Sequence, residues 1–155
     1  MNEENSNPYR TPESDVDVVD LDNRIKNFER FSAWWVFGLT IITLGIYPIY
    51  WLYTRSNTVN SFSEKKISSV LLVSLVVFTI GSFISEVFEP TGGEGLLMAI
   101  YAAVNIIYVV LYLIVLFKLR NRLNEIVKDN INPILTFFLS AIYLQYAVNR
   151  CLDKA

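Results

Sequence analysis

Long apolar stretches without charge dominate the chain from residue 31 onward. They cover residues 31–54, 67–85, 95–117 and 130–149. A helix needs about 20 apolar residues to cross the roughly 30 Å hydrocarbon core of a bilayer. Each stretch is therefore long enough to be a candidate span. The middle two are rich in Val, Leu and Ile, contain no proline, and predict plain transmembrane helices.

The first stretch is interrupted near its middle. Gly45 relaxes the backbone and Pro48 removes an amide donor, and both are recurrent causes of a break in a membrane helix. Pro48 also suits the first turn of a new helix. Beyond it, apolar residues form a one-sided stripe at Ile49, Leu52, Val59 and Phe62. Such a stripe on an otherwise polar segment predicts a helix that lies along a membrane interface.

Basic residues near the ends of the spans set the orientation, because segments rich in Lys and Arg stay on the cytoplasmic side. Lys65 and Lys66 precede the second stretch, and four bases follow the third within residues 118–128. The segment between these two stretches holds three acids and no base. We therefore predict that loop 86–94 lies outside and that loops 55–66 and 118–129 are cytoplasmic.

Bases flank both ends of the first and last stretches, so two all-α integral membrane architectures compete. In the first, two full transmembrane helices are flanked by two kinked, re-entrant or interfacial helical segments, and both termini lie inside. In the alternative, four full spans place both termini outside. The distribution of Lys and Arg favours the first architecture.

Charge divides the chain into two parts. Residues 1–23 hold seven acids and one base. This polar, proline-bearing segment cannot bury enough apolar surface to offset the entropy of ordering, so it predicts a disordered acidic tail. Residues 24–155 are predicted to form a single helical membrane domain. The net charge of −2 is an average over these two parts and identifies no partner.

Composition restricts the chemistry that the chain can perform. Histidine is absent and Cys151 is the only cysteine. The usual zinc, haem and iron–sulfur ligand sets are therefore missing, as are Ser-His and Cys-His nucleophile pairs. We expect no cofactor, no metal and no enzymatic activity, since the acids of loop 86–94 belong to a solvated segment and not to a shared pocket.

The third stretch carries a polar face, the first of three candidate sites. Its members recur every three or four residues, at Tyr101, Asn105, Tyr108 and Tyr112. An amide near the bilayer midplane is costly when it faces lipid. We expect Asn105 to bond across to a hydroxyl group of the second stretch, on Ser74, Thr79 or Ser82. A pocket for a ligand or lipid is the alternative.

The helix break is the second candidate site, and it comprises Gly45, Tyr47, Pro48, Tyr50 and Trp51. Irregular backbone at membrane depth persists only when it is buried in protein or lines a cavity. The break is therefore either a hairpin apex satisfied by its own turn or a place where carbonyl groups bind an ion or a lipid head group.

Basic residues after the third stretch are the third candidate site. Lys118, Arg120 and Arg122 could contact anionic lipid. The role of Lys and Arg in setting the orientation of the spans explains the same charges without a ligand.

A faint internal repeat relates residues 41–57 to residues 134–150. The identical pairs are Ile41 with Ile134, Thr43 with Thr136, Ile49 with Ile142, Tyr50 with Tyr143 and Tyr53 with Tyr146. Either a duplicated segment explains this pattern, or two interfacial hairpins use the same limited set of residue types.

The run ITLGIYPIYWLY, at residues 42–53, resembles the signature of the bacterial membrane family catalogued as domain of unknown function 4234. The closing segment YLQY, at residues 143–146, together with Asn149 and Arg150, is similar to the C-terminal end of that family. The resemblance covers roughly residues 31–150. It implies a multi-pass protein of the bacterial inner membrane and no activity, because the family has none assigned.

Three classes of function can be ranked from these features. An interaction or scaffold subunit of a membrane assembly ranks first, since it needs helix faces with small residues, a flexible tail and no catalytic groups. The alternative is an oligomeric transporter or channel component, or a lipid-binding membrane protein, although transporters normally carry an ionisable residue inside a span. An enzyme ranks last. The expected partners are the lipid bilayer and either a second copy or another membrane protein, and no nucleic acid.

Overall fold

A computed structural model of the chain describes residues 25–63, 65–87, 95–127 and 130–153. Over these residues the fold contains five helices and no strand, which confirms the predicted all-α class. The helices are α1 (Ala33–Ile42), α2 (Ile46–Phe62), α3 (Ser69–Val87), α4 (Gly95–Val127) and α5 (Pro133–Leu152). The predicted disordered tail, residues 88–94 of the predicted outer loop and Lys128 lie outside the described residues.

Helices α3 and α4 form an antiparallel pair. Both are long and apolar enough to cross a membrane. Gly81 of α3 faces Val104 of α4 so closely that an added Cβ atom would lie 3.4 Å from Val104 Cγ1. We call the end of the bundle where α3 begins and α4 ends the basal end.

Helix α4 extends ten residues beyond the apolar stretch that predicts it, to Val127. The sequence predicts a loop over 118–129, and this prediction is wrong for residues 118–127. The cause is an apolar repeat at helical spacing among the basic residues, formed by Leu116, Leu119, Leu123 and Ile126, which are all buried. Likewise, residues 55–62 of the predicted loop 55–66 belong to α2.

Helix α2 runs alongside α3 in the opposite direction. Its first residue, Ile46, lines a small cavity together with Ser82 of α3. Near its end, Asn60 accepts a hydrogen bond from the amide of Ile67 at 2.7 Å and donates one to the carbonyl of Ile67 at 2.8 Å. The orientation of this segment along a membrane interface stays a prediction, and the segment itself packs against α3. Its apolar stripe of Ile49, Leu52 and Val59 is buried inside the helix bundle.

The chain reverses direction within two hairpins. The first hairpin consists of α1 and α2, which are joined by Leu44 and Gly45 with φ angles of 50° and 88°. The second hairpin lies within α5, where Ser140 has φ 50° and ψ −130°. The chain turns so sharply at Ser140 that the Tyr143 hydroxyl group accepts a hydrogen bond from the amide of Asn132 at 3.2 Å.

The free ends of the two hairpins lie together. Asn149 of the second hairpin donates a hydrogen bond to the carbonyl of Phe31, before α1, at 2.7 Å. Arg30 and Asp153 form an exposed ion pair at 2.8 Å. The ring of Phe28 packs edge-on against Phe62 at the end of α2, with centroids 5.8 Å apart. These contacts place both free ends toward the basal end of the bundle.

Candidate functional site: hairpin tips and polar contacts of the long helices

The tip of the first hairpin is closed by its own turn. The hydroxyl groups of Thr40 and Thr43 donate to the carbonyls of Val36 and Leu39 at 2.6 and 2.7 Å. The amide of Gly45 donates to the Thr40 carbonyl at 2.8 Å, and the Thr43 hydroxyl oxygen accepts the amide of Tyr47 at 2.9 Å. Gly45 supplies the positive φ that the reversal needs. The geometry of this tip is that of a hairpin apex satisfied from within.

The other residues of the predicted break lie in different surroundings. Pro48 is buried in the first turn of α2, where a missing amide proton costs no hydrogen bond. Tyr47 is half-buried, with its ring 6.4 Å from that of Phe31 and 6.0 Å from that of Tyr50. Tyr50 is 62% exposed, whereas Trp51 is buried. These five residues do not converge on one ligand site.

A buried chain of hydrogen bonds joins the two hairpins. Trp51 Nε1 donates to Gln145 Oε1 at 2.9 Å, and Gln145 Nε2 donates to Asn149 Oδ1 at 2.9 Å. Asn149 then donates to the Phe31 carbonyl. Gln145 is completely buried. Sequence reasoning did not identify this network. The feature of the sequence that could have indicated it is the pair of side-chain amides of Gln145 and Asn149, which lie four residues apart within an apolar stretch.

The tip of the second hairpin is held by α4. The hydroxyl groups of Tyr112 and Ser140 share a hydrogen bond. Asn132 caps the start of α5 by accepting the amide of Ile134 at 2.8 Å. Tyr112, one of the predicted polar-face residues, thus fixes the point at which the second hairpin turns.

Asn105 forms a cluster with α3. The Ser82 hydroxyl group donates to Asn105 Oδ1. Asn105 Nδ2 donates to Ser85 Oγ and to the Tyr101 carbonyl, each at 3.0 Å. Ser82 is among the partners that the sequence predicts, whereas Ser85 is not. The amide bridges the two long helices and all of its polar atoms are used.

Two open cavities flank the Asn105 cluster. The larger, of about 350 Å³, is lined by Tyr101, Asn105 and Glu86 among others. The smaller, of about 90 Å³, lies beneath the first hairpin tip and is lined by Tyr108, Ser82 and again Glu86. The four residues of the predicted polar face therefore contact different neighbours. Tyr101, Asn105 and Tyr108 face α3 and these cavities, whereas Tyr112 contacts the second hairpin.

The bases after the third stretch are mostly engaged within the protein. The Arg120 guanidinium donates to the Ile131 carbonyl, from Nε at 2.9 Å and also from Nη2. Arg122 Nη1 forms an ion pair with Glu125 at 2.7 Å. Lys118 is exposed. Of these three candidate lipid contacts, Arg120 is committed to the connection between α4 and α5.

Arg55 has a similar structural role in the first hairpin. Its Nη2 atom donates to the Glu29 carbonyl at 3.1 Å, and its guanidinium carbon lies 5.9 Å from the centroid of the Phe28 ring. Burial lowers the pKa of Arg55, and the nearby Glu29 carboxylate acts in the opposite direction. Over the described residues, no three His, Cys, Asp or Glu side chains lie close enough together to hold a metal ion.

Comparison with known families finds one family whose model covers α1 to α3 and most of α4. The family described as Domain of unknown function (DUF4234) matches residues 31–125. The chain belongs to this family. The match includes the first hairpin and the Asn105 cluster, and it confirms the family predicted from residues 42–53. It ends before α5, so the likeness of residues 143–150 to the family's C-terminal end lies outside it. No curated protein and no solved structure matches the chain.

Proposed function

We propose that this DUF4234 protein is a multi-pass integral membrane protein in which α3 and α4 cross the bilayer. The support comes from how little of these helices the rest of the chain covers. Only 22% of the most apolar window of α3 and 11% of that of α4 is buried. An apolar core helix of a soluble protein is mostly buried. Lipid is the solvent that suits this exposed surface.

Both hairpins are proposed to be re-entrant. The ten residues of α1 are fewer than the about 20 that a helix needs to cross a bilayer. The chain then turns at Gly45 and returns toward the basal end, where the ion pair of Arg30 with Asp153 joins the two hairpins. This arrangement favours two full spans over four.

The basal end is proposed to face the cytoplasm of a bacterial inner membrane. Lys65 and Lys66 precede α3 at this end, and Lys118, Arg120 and Arg122 lie in the last part of α4. Basic residues of this kind mark the cytoplasmic side. The family resemblance supports the bacterial setting.

Within this frame we propose an interaction or scaffold subunit as the function. The observation that carries this proposal is the chain of hydrogen bonds from Trp51 through Gln145 to Asn149, which engages these polar groups within the protein and joins the two hairpins. A transport path would normally carry an ionisable residue inside a span. Residues 69–85 and 95–117 contain no Asp, Glu, Lys or Arg.

Site-specific photo-crosslinking in native membranes tests this function. A photoreactive amino acid at Val110, which is exposed on α4, should give a discrete adduct with a protein. The same group at the buried Leu116 is the matched control and should give none. Two differently tagged copies distinguish a second copy from another protein. If exposed positions around α3 and α4 yield lipid adducts alone, the proposal of an interaction subunit is wrong.

A further inference from the structure

An apolar groove runs between α2 and α3 on the outside of the bundle. It encloses about 560 Å³, and its walls include Ile46, Tyr50, Tyr53, Val73, Val77 and Ile80. From Val73 to Ile80 it follows α3 for about 10 Å. Val77 is 58% exposed and Ile80 56% exposed, so the groove opens to the surroundings of the bundle.

The basal end of this groove is basic, and hydrogen bonds connect its two sides. Lys65 and Lys66 are exposed and lie directly before α3. The paired hydrogen bonds between Asn60 and Ile67 fasten the segment that carries these lysines to the last turns of α2. The backbone that carries the two lysines is thus held near the junction between α2 and α3.

We propose that this groove binds an acyl chain of an anionic phospholipid whose phosphate group is held by Lys65 and Lys66. The inference rests on the proposed insertion of α3, which places the groove against lipid with its basal end at the membrane surface. A phospholipid has an apolar acyl chain that suits the groove and, at one end of that chain, an anionic phosphate that suits the lysines at the basal end. Bases at a membrane surface attract anionic lipid.

The charge distribution favours this position over the end of α4. Arg120 is bonded to the Ile131 carbonyl, and Arg122 is paired with Glu125. Lys118 is exposed on α4, whereas the groove walls belong to α2 and α3 and Lys65 and Lys66 precede α3 in the chain. The site therefore differs from the one that the sequence predicts at Lys118, Arg120 and Arg122.

Native mass spectrometry of the detergent-purified full-length protein tests the proposal. The protein is titrated with phosphatidylglycerol and with phosphatidylcholine that carry the same acyl chains. We expect phosphatidylglycerol to bind about tenfold more tightly, since each base near a head group adds to the attraction. The double variant Lys65→Gln with Lys66→Gln should lose this preference, whereas Lys118→Gln should keep it.

Groove variants test the acyl-chain contact separately. Val77→Trp fills the groove and should weaken the binding of both lipids, while Ile107→Trp, at an exposed position of α4 outside the groove, should not. Val73→Trp is the second groove variant if Val77→Trp does not fold. Retained preference for phosphatidylglycerol without the two lysines, or wild-type binding by a folded groove variant, overturns the proposal. Binding in detergent does not depend on membrane topology, so this failure is separate from a failure of the proposed insertion.

Discussion

Single polar side chains on α4 anchor other parts of the fold. Tyr112 bonds to Ser140 at the second tip, and Asn105 bonds to Ser82 and Ser85 of α3. The sequence predicts both residues because an amide and phenol groups recur on one face of an apolar helix. It predicts only part of their partners, because several hydroxyl groups of α3 lie within the same stretch and only the packing selects among them.

The amide of Asn105 should contribute measurably to stability. Asn105→Leu removes the partner of Ser82 and Ser85, and hydrogen bonds between membrane helices contribute about 1 kcal/mol. We therefore expect a lower melting temperature for the detergent-purified variant. Ser74→Ala is the control, because Ser74 was an expected partner but does not contact Asn105. An unchanged melting temperature for Asn105→Leu would show that the cluster has no structural role.

At the scale of elements, the two hairpin breaks differ in how they are encoded. Gly45 and Pro48 predict the first break from the local sequence. Gly45 permits a positive φ angle, and Pro48 has no backbone amide proton to donate to a helix hydrogen bond. Ser140 has neither property, and at this positive-φ turn it forms a hydrogen bond with the distant Tyr112. For a related reason, the sequence does not predict the end of α4. Lys118, Arg120 and Arg122 end the uncharged stretch, although an apolar repeat at helical spacing continues between them. Tertiary contacts decide these features.

The contact between the hairpins should be energetically coupled. Trp51→Phe keeps an aromatic side chain but removes the indole N–H, so that Gln145 Oε1 loses its buried donor, which costs about 1–3 kcal/mol. A double-mutant cycle with Gln145→Leu should show that the two losses are not additive, with a coupling of about 1 kcal/mol. Thermal or denaturant unfolding in detergent measures all four proteins. Tyr50→Phe, a neighbouring exposed phenol, is the control. Additive losses would contradict a direct link between the hairpins.

At the scale of the whole molecule, two hairpins that bond to each other lie beside one long antiparallel helix pair. The sequence predicts the pair from length and composition, and it predicts the basic basal end from Lys and Arg. It does not establish that α2 stands alongside α3, because a one-sided apolar stripe fits a membrane surface and a helix bundle equally well. The groove between α2 and α3 and the lysines beside it follow from that orientation.

The central claim is that both hairpins enter the membrane from the basal side and return to it. Labelling of single cysteines with an impermeant maleimide on intact spheroplasts tests it most directly, in a Cys151→Ser background. Ser32→Cys and Asp153→Cys probe the free ends of the two hairpins, and both positions are exposed. Asp153 can be replaced because its ion pair with Arg30 is exposed and contributes little. Gly95→Cys, at the opposite end of α4, is the positive control.

The account predicts that positions 32 and 153 react only after the membrane is opened, while position 95 reacts in both conditions. Labelling of positions 32 and 153 in intact spheroplasts, to the same extent as position 95, would contradict the re-entrant hairpins and favour four full spans.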